Sequence, residues 1–141
     1  MSALHFELIA PEGMVAAGAA GMVTLPAEMG EMGVLPGHVP LMTSLQPGAI
    51  GVYDNGKLVD RLFVTGGFAD VQPDRCTVLA EAAEKVSNID AEKLTGQIAE
   101  AEAALAGAVA AALPGADEAK KQHLQAALNI LLIKQKILQA S

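Results

Sequence analysis

Glycine and proline are concentrated in the first part of this 141-residue chain. Eleven of the 14 glycines and 6 of the 7 prolines precede Ser87. Before this break, short apolar runs are separated by turn signals, which is typical of an all-β domain. After it, apolar residues recur at helical spacing. The break therefore predicts two domains, an all-β domain over residues 1–87 and a helical domain over residues 88–141.

The first domain contains several short segments with strand character. The predicted strands are Leu4–Leu8, Ala49–Tyr53, Leu58–Val64, Phe68–Val71 and Arg75–Ala80. Two of them flank Asp54-Asn55-Gly56, and Asn-Gly is a strong hairpin signal because both residues tolerate a positive φ. The pattern predicts a sandwich of many short strands over roughly residues 1–84.

The second domain is predicted to form two helices joined by a short loop. Ser87 and Asp90 resemble a capping pair at the start of the first helix, and Pro114-Gly115 ends it. Helical spacing relates Leu94, Ile98, Ala101, Leu105, Val109 and Ala112. The second helix is predicted from about Asp117 to Gln139. A short loop favours an antiparallel hairpin, and the apolar run 128–133 implies a second contact for that helix.

Composition and charge exclude several functions. The net charge of −7 and the pI of about 4.8 argue against a nucleic-acid surface, which needs clustered cations. A single cysteine, Cys76, excludes an internal disulfide and a cysteine-based metal cluster. The first basic residue is Lys57, so no signal or transit peptide is expected. No apolar run is long enough to span a membrane, so we expect no direct membrane insertion.

One segment of the sequence is a weak candidate for a catalytic site. Gly51, Gly56 and Lys57 fit the spacing of a phosphate-binding P-loop, and an enzyme of that type is the most remote alternative. However, Leu58 stands where Ser or Thr would hold magnesium, and a strand follows instead of a helix. The hairpin explains these residues better. The three histidines lie far apart, and no metal site or metal cofactor is expected.

The segment Glu28–Pro40 is predicted to be a loop rich in Gly, Met and Pro. Its Met29 and Met32 have the sequence context of exposed side chains. Flexible methionines suit an adaptable interface, although filling gaps in a core explains them as well. The segment therefore indicates either a contact surface or a structural loop.

Two ordered blocks of sequence carry a family resemblance. The first is Gly30–Leu41, followed by Thr43, Leu45 and Pro47-Gly48; the second is Phe63–Phe68, followed by Val71-Gln72-Pro73 and Thr77–Ala80. In this order they resemble the epsilon subunit of bacterial F-type ATP synthases, the counterpart of the mitochondrial delta subunit. The resemblance covers roughly residues 3–90 well, whereas the helical part matches in length and position but weakly in sequence.

The resemblance implies an all-β N-terminal sandwich of about ten strands plus a C-terminal antiparallel two-helix hairpin. It also implies a non-catalytic rotor subunit of the central stalk, bound to the gamma subunit and to the c-ring, and conditionally to the alpha/beta catalytic hexamer. Such a subunit helps couple proton flow to ATP synthesis at the cytoplasmic face of the bacterial inner membrane. The positions that match the family's interface are Glu31, Met32 and Gly33 for the c-ring, His38 near gamma, and Thr65 and Gly66 in the neighbouring loop.

Regulation is where this sequence departs from the family. Many bacterial members bind regulatory ATP through an Ile/Leu-Asp-x-x-Arg-Ala motif at the start of the first helix. The matching residues here are Ile89, Asp90 and Lys93, followed by Leu94. Lysine cannot grip a phosphate bidentately as arginine does, and Asp90 is explained equally well as a helix-start residue. An ATP-sensing module with the hairpin as its switch therefore remains the alternative function.

Overall fold

A computed structural model describes residues 3–111 and 118–139, and the chain divides into two compact units after Asn88. The first unit consists of strands β1 to β10 and a short 3-10 turn at Val86–Asn88. The strands are Leu4–Ala10, Gly13–Ala20, Met22–Ala27, Gly30–Val34, Leu41–Leu45, Gly48–Asp54, Lys57–Val64, Gly67–Val71, Arg75–Ala80 and Ala83–Lys85. The ten strands confirm the predicted fold of the N-terminal part.

One continuous sheet folds round to make both layers of the sandwich. Its strand order is β10-β7-β6-β3-β5-β8-β9-β1-β2, and β4 is added on β3. Strand β3 joins the two halves, since it pairs with β4, β5 and β6. Strands β1 and β9 are parallel, whereas the other described pairs are antiparallel.

The core of the sandwich is mostly aliphatic, and β1 contributes every second side chain to it. Leu4, Phe6 and Leu8 are buried, and His5 between them is exposed. Burial of apolar surface is the main favourable contribution to folding, and the inward residues of most strands share one cluster. Its members include Leu4, Leu8, Val23, Leu25, Val34, Ile50, Leu62, Val64, Val71, Cys76 and Val78.

The hairpin at Asp54-Asn55-Gly56 is confirmed. Asp54 pairs with Lys57 across the turn, and Asn55 and Gly56 have φ angles of 51° and 77°. Two central residues with positive φ match the twist of the flanking strands. Gly51 lies within β6 and Lys57 begins β7, so the P-loop interpretation is wrong: the required loop and following helix are replaced by a hairpin.

The second unit is a two-helix hairpin, as predicted. Helix α1 spans Ala91–Ala111 and helix α2 spans Glu118–Gln139. Their apolar residues form a small core of Leu94, Ile98 and Leu128, with Ala101, Leu105, Leu131 and Leu138 packed against it. The predicted loop at Pro114-Gly115, the helix start at Asp117, Ala112 and the side chain of Val109 lie outside the described residues.

The predicted capping pair at the start of α1 is partly wrong. Ser87 lies in the 3-10 turn, before the helix. The cap is Asp90 itself, whose Oδ1 accepts hydrogen bonds from the backbone N–H of Glu92 (2.9 Å) and of Lys93 (3.2 Å). A carboxylate there satisfies two amides that have no partner within the helix. The turn at Val86–Asn88 delays the helix, so the acidic residue precedes the first turn.

Candidate functional site

The strand registers place alternate turns at opposite ends of the sandwich. Ala27 pairs with Leu45, Leu45 with Gly67, and Gly67 with Ala80. The turns that follow β1, β3, β5, β7 and β9 therefore lie together at what we call the five-turn end. The turns that follow β2, β4, β6 and β8 lie at the opposite, four-turn end.

Three of the six interface residues that the sequence predicts lie on β4. Glu31 pairs with Pro26 beside the five-turn end and is exposed, and Gly33 is exposed as well. Met32 is half-buried and packs against the sandwich core, so its predicted exposure is wrong. The reason is that residues 30–34 form a strand on β3, and alternation turns every second side chain inward.

The exposed methionine of this segment is Met29, in the turn between β3 and β4. Its side chain is 98% exposed, which confirms the exposure predicted for it. The preceding Glu28 is fixed to β5, since its backbone N–H donates to the Ser44 carbonyl at 3.0 Å and its carboxylate accepts from the Ser44 hydroxyl. The five-turn end thus presents an exposed apolar side chain on a hydrogen-bonded turn.

Thr65 and Gly66 also lie at the five-turn end, in the turn between β7 and β8. The Thr65 N–H donates to the Ala82 carbonyl at 3.2 Å, and the Gly66 carbonyl accepts from the Glu81 N–H at 3.0 Å. Gly66 is buried and Thr65 is half-buried. The turn is therefore a hydrogen-bonded bend against the next turn, which leaves Gly66 little surface for a partner.

Gly67 explains why this bend needs glycine. Its φ is 143°, and a Cβ at this position would lie 2.1 Å from the Leu79 carbonyl oxygen and 2.9 Å from Ala80 Cα. Only glycine allows two backbones to approach so closely at a positive φ. The glycine pair therefore allows a close backbone contact within the sandwich.

His38 lies apart from the other predicted interface residues, at the four-turn end. It is half-buried in the loop between β4 and β5, and its Nδ1 lies 2.6 Å from the Val39 carbonyl oxygen. The neighbouring Gly37 N–H donates to the Pro73 carbonyl at 2.7 Å, which ties this loop to the turn between β8 and β9. The structure therefore brings Glu31 and Thr65 to one end and His38 to the other.

An exposed apolar row crosses the outer face of the sandwich, and the sequence-based prediction missed it. Ser44 of β5 pairs with Phe68, Phe68 with Leu79, Leu79 with Ile9, and Ile9 with Met14 of β2. We call Phe68, Leu79, Ile9 and Met14 the apolar row. Exposed fractions are 58% for Phe68, 54% for Leu79 and 57% for Met14.

The apolar row is bordered by acidic residues. In the next register across the sheet, Met42 pairs with Asp70, Asp70 with Thr77, and Thr77 with Glu7. Met42 is 70% exposed and extends the apolar surface. Contiguous apolar surface with a polar rim marks a site of protein contact. The sequence signal for this exposure was strand alternation: Phe68 and Leu79 each stand next to a residue of the opposite face, the buried Ala69 and Val78.

The start of α1 brings Ile89, Asp90 and Lys93 together for a structural purpose. Ile89 packs against the core of the hairpin, and the Asp90 carboxylate is held by the two helix amides. Lys93 and its neighbour Glu92 are exposed. One oxygen of the Asp90 carboxylate is thus engaged by the helix itself.

Reactive chemistry is sparse in the part of the chain that the structure describes. Within residues 3–111 and 118–139, no group of three potential ligands could hold a metal ion. Cys76 is fully buried, and burial together with the nearby negative charge of Asp70 raises the pKa of its thiol to about 11. No helix among the described residues is long and apolar enough to cross a membrane.

These features define an all-β sandwich with an exposed apolar sheet face, followed by a two-helix hairpin. Residues 3–86 match the family of the ATP synthase delta/epsilon chain β-sandwich domain. The chain is 46% identical over 106 residues to the ATP synthase epsilon chain of Granulibacter bethesdensis, which covers 75% of this chain and 78% of the relative. It is 38% identical over 123 residues to that of Rhodospirillum rubrum, which covers 77% of this chain and 92% of the relative. The chain therefore belongs to the epsilon chain family of ATP synthases.

Solved structures show the same fold. A cryo-EM structure of the Euglena gracilis mitochondrial ATP synthase, which includes the c-ring, contains a chain that matches 98% of this one. The two chains have a TM-score of 0.79 and 27% identity, and 82% of the other chain is covered. A chain from the central stalk and c-ring of the Tetrahymena thermophila mitochondrial enzyme matches 96% of each chain with a TM-score of 0.60 at 12% identity, which shows a common fold.

Proposed function

We propose that this chain is a non-catalytic rotor subunit of a proton-translocating ATP synthase, and that its sandwich links the gamma subunit to the c-ring. The apolar row with its acidic border is the observation that carries this proposal. Transmission of torque needs a wide, rigid contact, and a sheet face supported by a packed core supplies one. Within this proposal, residues 1–87 are the rotor domain and residues 88–141 are an accessory hairpin.

The gamma subunit is the partner we assign to the apolar row. Burial of Phe68 and Leu79, each more than half exposed, contributes about 2 kcal/mol per side chain at about 25 cal/mol per Å² of apolar surface. Glu7 and Asp70 beside the row favour a partner surface that is basic at its rim. Such rim charges determine orientation and association rate more than affinity.

The c-ring is the partner we assign to the five-turn end. Glu31 and Met29 are exposed there, and Glu28 is fixed by its hydrogen bonds to Ser44. Turns that are tied to one another can follow a moving ring without deforming, and their polar side chains suit the polar loops of a membrane-embedded ring. In this arrangement the chain lies at the cytoplasmic face of the bacterial inner membrane as a peripheral subunit.

We assign the hairpin a structural role in preference to an ATP-dependent switch. Asp90 is used as the cap of α1, and no arginine is present in residues 88–141 to hold a phosphate in two hydrogen bonds. The alternative, ATP sensing, predicts that the isolated chain binds ATP and that Asp90→Ala abolishes this binding.

Co-purification from detergent-treated membranes tests the proposal. The tagged chain is expected to retain the gamma subunit and the catalytic hexamer, and Leu79→Asp is expected to lose them, because a carboxylate would be buried in the apolar row. The matched control is Leu58→Asp on β7, since Leu58 is 47% exposed and lies off the row. Equal recovery of partners by both variants would exclude the row as the contact.

A further inference from the structure

Strand β2 leaves one edge of the sheet open. It lies at the end of the strand order and pairs with β1 among the strands described. The orientation of its backbone follows from β1: the N–H of His5 donates to the Asp74 carbonyl on the β9 side at 2.9 Å. Successive residues of a strand point their backbone groups to opposite sides. The backbone N–H and C=O groups of His5 and Glu7 therefore point toward β9.

The residues of β2 opposite His5 and Glu7 are Ala19 and Ala17. In an antiparallel ladder their N–H and C=O groups point away from β1, since they form the pairs that exchange no hydrogen bonds. Among the strands that the structure describes, β2 pairs with β1 alone, so no strand lies on the side to which these groups point. Two residues thus present a ready-made template for a further strand.

The edge lacks most of the features that normally prevent strand addition. Gly13–Ala20 contains no charged residue and no proline across its eight positions. Natural edges are usually protected by lysine, proline or a bulge. Here the one such feature in the described strand is the irregularity between Leu8 and Ile9 of β1, near the start of β2. The stretch from Ala16 onward is open to pairing.

A pocket adjoins the far end of this edge. It has a volume of about 680 Å³, and its lining includes Ala19, Ala20, Gly21, Leu35, Pro36 and Tyr53. Small side chains on one wall leave room for a guest, and Leu35 is 55% exposed on the other. Asp54 also lines the pocket, and among the described residues it forms no ion pair. The pocket therefore suits an apolar side chain with a neighbouring cation.

We propose that an extended segment of the gamma subunit adds to β2 as a further strand and places an apolar side chain in this pocket. The inference rests on the proposed function, because the apolar row assigned to gamma ends on β2 at Met14, two residues before the open stretch that begins at Ala16. The segment is uncharged along the strand and carries a basic residue opposite Asp54. Main-chain hydrogen bonds would give affinity, and the pocket would give register.

Hydrogen exchange in the assembled complex is the direct test. Strand addition is expected to slow exchange of the Ala17 and Ala19 amides at least about tenfold, because these N–H groups gain acceptors. The amide of Glu81, which already donates to Gly66, is expected to change little. Unchanged exchange at Ala17 and Ala19 while gamma remains bound would overturn the inference.

A pair of substitutions tests the hydrogen bond that the Ala17 N–H would donate to the added strand. Ala17→Pro removes one outward N–H and leaves the donors that face β1 in place, which an edge strand tolerates. Ala17→Val keeps the N–H, and the valine side chain has a volume similar to that of proline. We expect Ala17→Pro to weaken binding to gamma about fivefold to tenfold relative to Ala17→Val. Equal affinities of the two folded variants would contradict strand addition.

The pocket has its own matched pair. A Cβ at Gly21 would lie 3.6 Å from the nearest atom, the Tyr53 carbonyl oxygen, so Gly21→Ala fits without strain. Gly21→Phe fills the pocket and is expected to weaken binding at least about tenfold, whereas Gly21→Ala is expected to leave it unchanged. Equal binding by both variants would exclude a guest side chain.

Failure of the inference is distinguishable from failure of the proposed function. If Leu79→Asp abolishes binding to gamma and Ala17→Pro matches Ala17→Val, the apolar row is the contact and β2 stays open. If the unmodified chain does not bind gamma, both proposals are wrong. A concentration-dependent dimer of the chain alone in sedimentation, lost in Ala17→Pro, would assign the edge to a second copy and overturn the choice of gamma.

Discussion

Replacement of Asp90 separates a helix cap from a nucleotide ligand. Its carboxylate accepts two hydrogen bonds, at 2.9 Å from the Glu92 N–H and 3.2 Å from the Lys93 N–H. Loss of an N-cap of this kind costs about 1 kcal/mol, within a range of about 0.5–2 kcal/mol. The negative charge near the positive end of the helix dipole contributes about 0.3–1 kcal/mol of this at an exposed site.

Asp90→Ala is therefore expected to destabilise α1 by about 1 kcal/mol. Asp90→Asn keeps an acceptor oxygen and loses the charge, so it is expected to recover most of that stability. The assay is amide hydrogen exchange at Glu92 and Lys93, with helix content measured by far-UV circular dichroism and ATP binding by calorimetry. Exchange is expected to accelerate about fivefold in Asp90→Ala. Unchanged exchange combined with loss of measurable ATP binding would refute the cap and support the ATP-sensing alternative.

Three further predictions follow from single positions. Gly67→Ala is expected to destabilise the sandwich by about 3 kcal/mol or more, because its Cβ would lie 2.1 Å from the Leu79 carbonyl oxygen. The control Gly96→Ala in α1 has open space around the new Cβ and is expected to stabilise the helix by about 1 kcal/mol. Denaturant unfolding measures both free-energy changes. Cys76 is expected to resist thiol reagents in the folded chain; its contribution to stability is complete below pH 9.0 and is lost as the pH rises through about 11, which pH-dependent unfolding against Cys76→Ala measures. Truncation after Ser87 is expected to leave ATP hydrolysis by the reconstituted enzyme unchanged, and a clear increase would identify the hairpin as an inhibitor.

The parts of the fold that depend on local sequence could be predicted. Asn55 and Gly56 fix the hairpin because they tolerate positive φ, and the helical spacing of Leu94 and Ile98 places both side chains in the core of the helical unit. The parallel pairing of β1 with β9 was not predictable, since it joins residues far apart in the chain. The apolar row depends on that pairing, which is why Phe68 and Leu79 were missed.

The errors arise where tertiary structure decides between local alternatives. Met32 is half-buried because β4 pairs with β3, which the glycines around it did not indicate. Ser87 is displaced from the cap position by the 3-10 turn, so Asp90 takes that role. A candidate interface can therefore be located only roughly from sequence, because exposure of a strand residue depends on register with its neighbours.

ATP-driven proton pumping in membrane vesicles measures whether the apolar row of the sandwich couples ATP hydrolysis to proton flow. Vesicles depleted of this subunit are reconstituted with the full chain, with Leu79→Asp or with the control Leu58→Asp, and acidification is compared at equal rates of ATP hydrolysis. The full chain and Leu58→Asp are expected to restore pumping, whereas Leu79→Asp is expected to leave the vesicles unable to acidify. Pumping that is independent of the added chain, or fully restored by Leu79→Asp, would contradict a coupling role for the sandwich face.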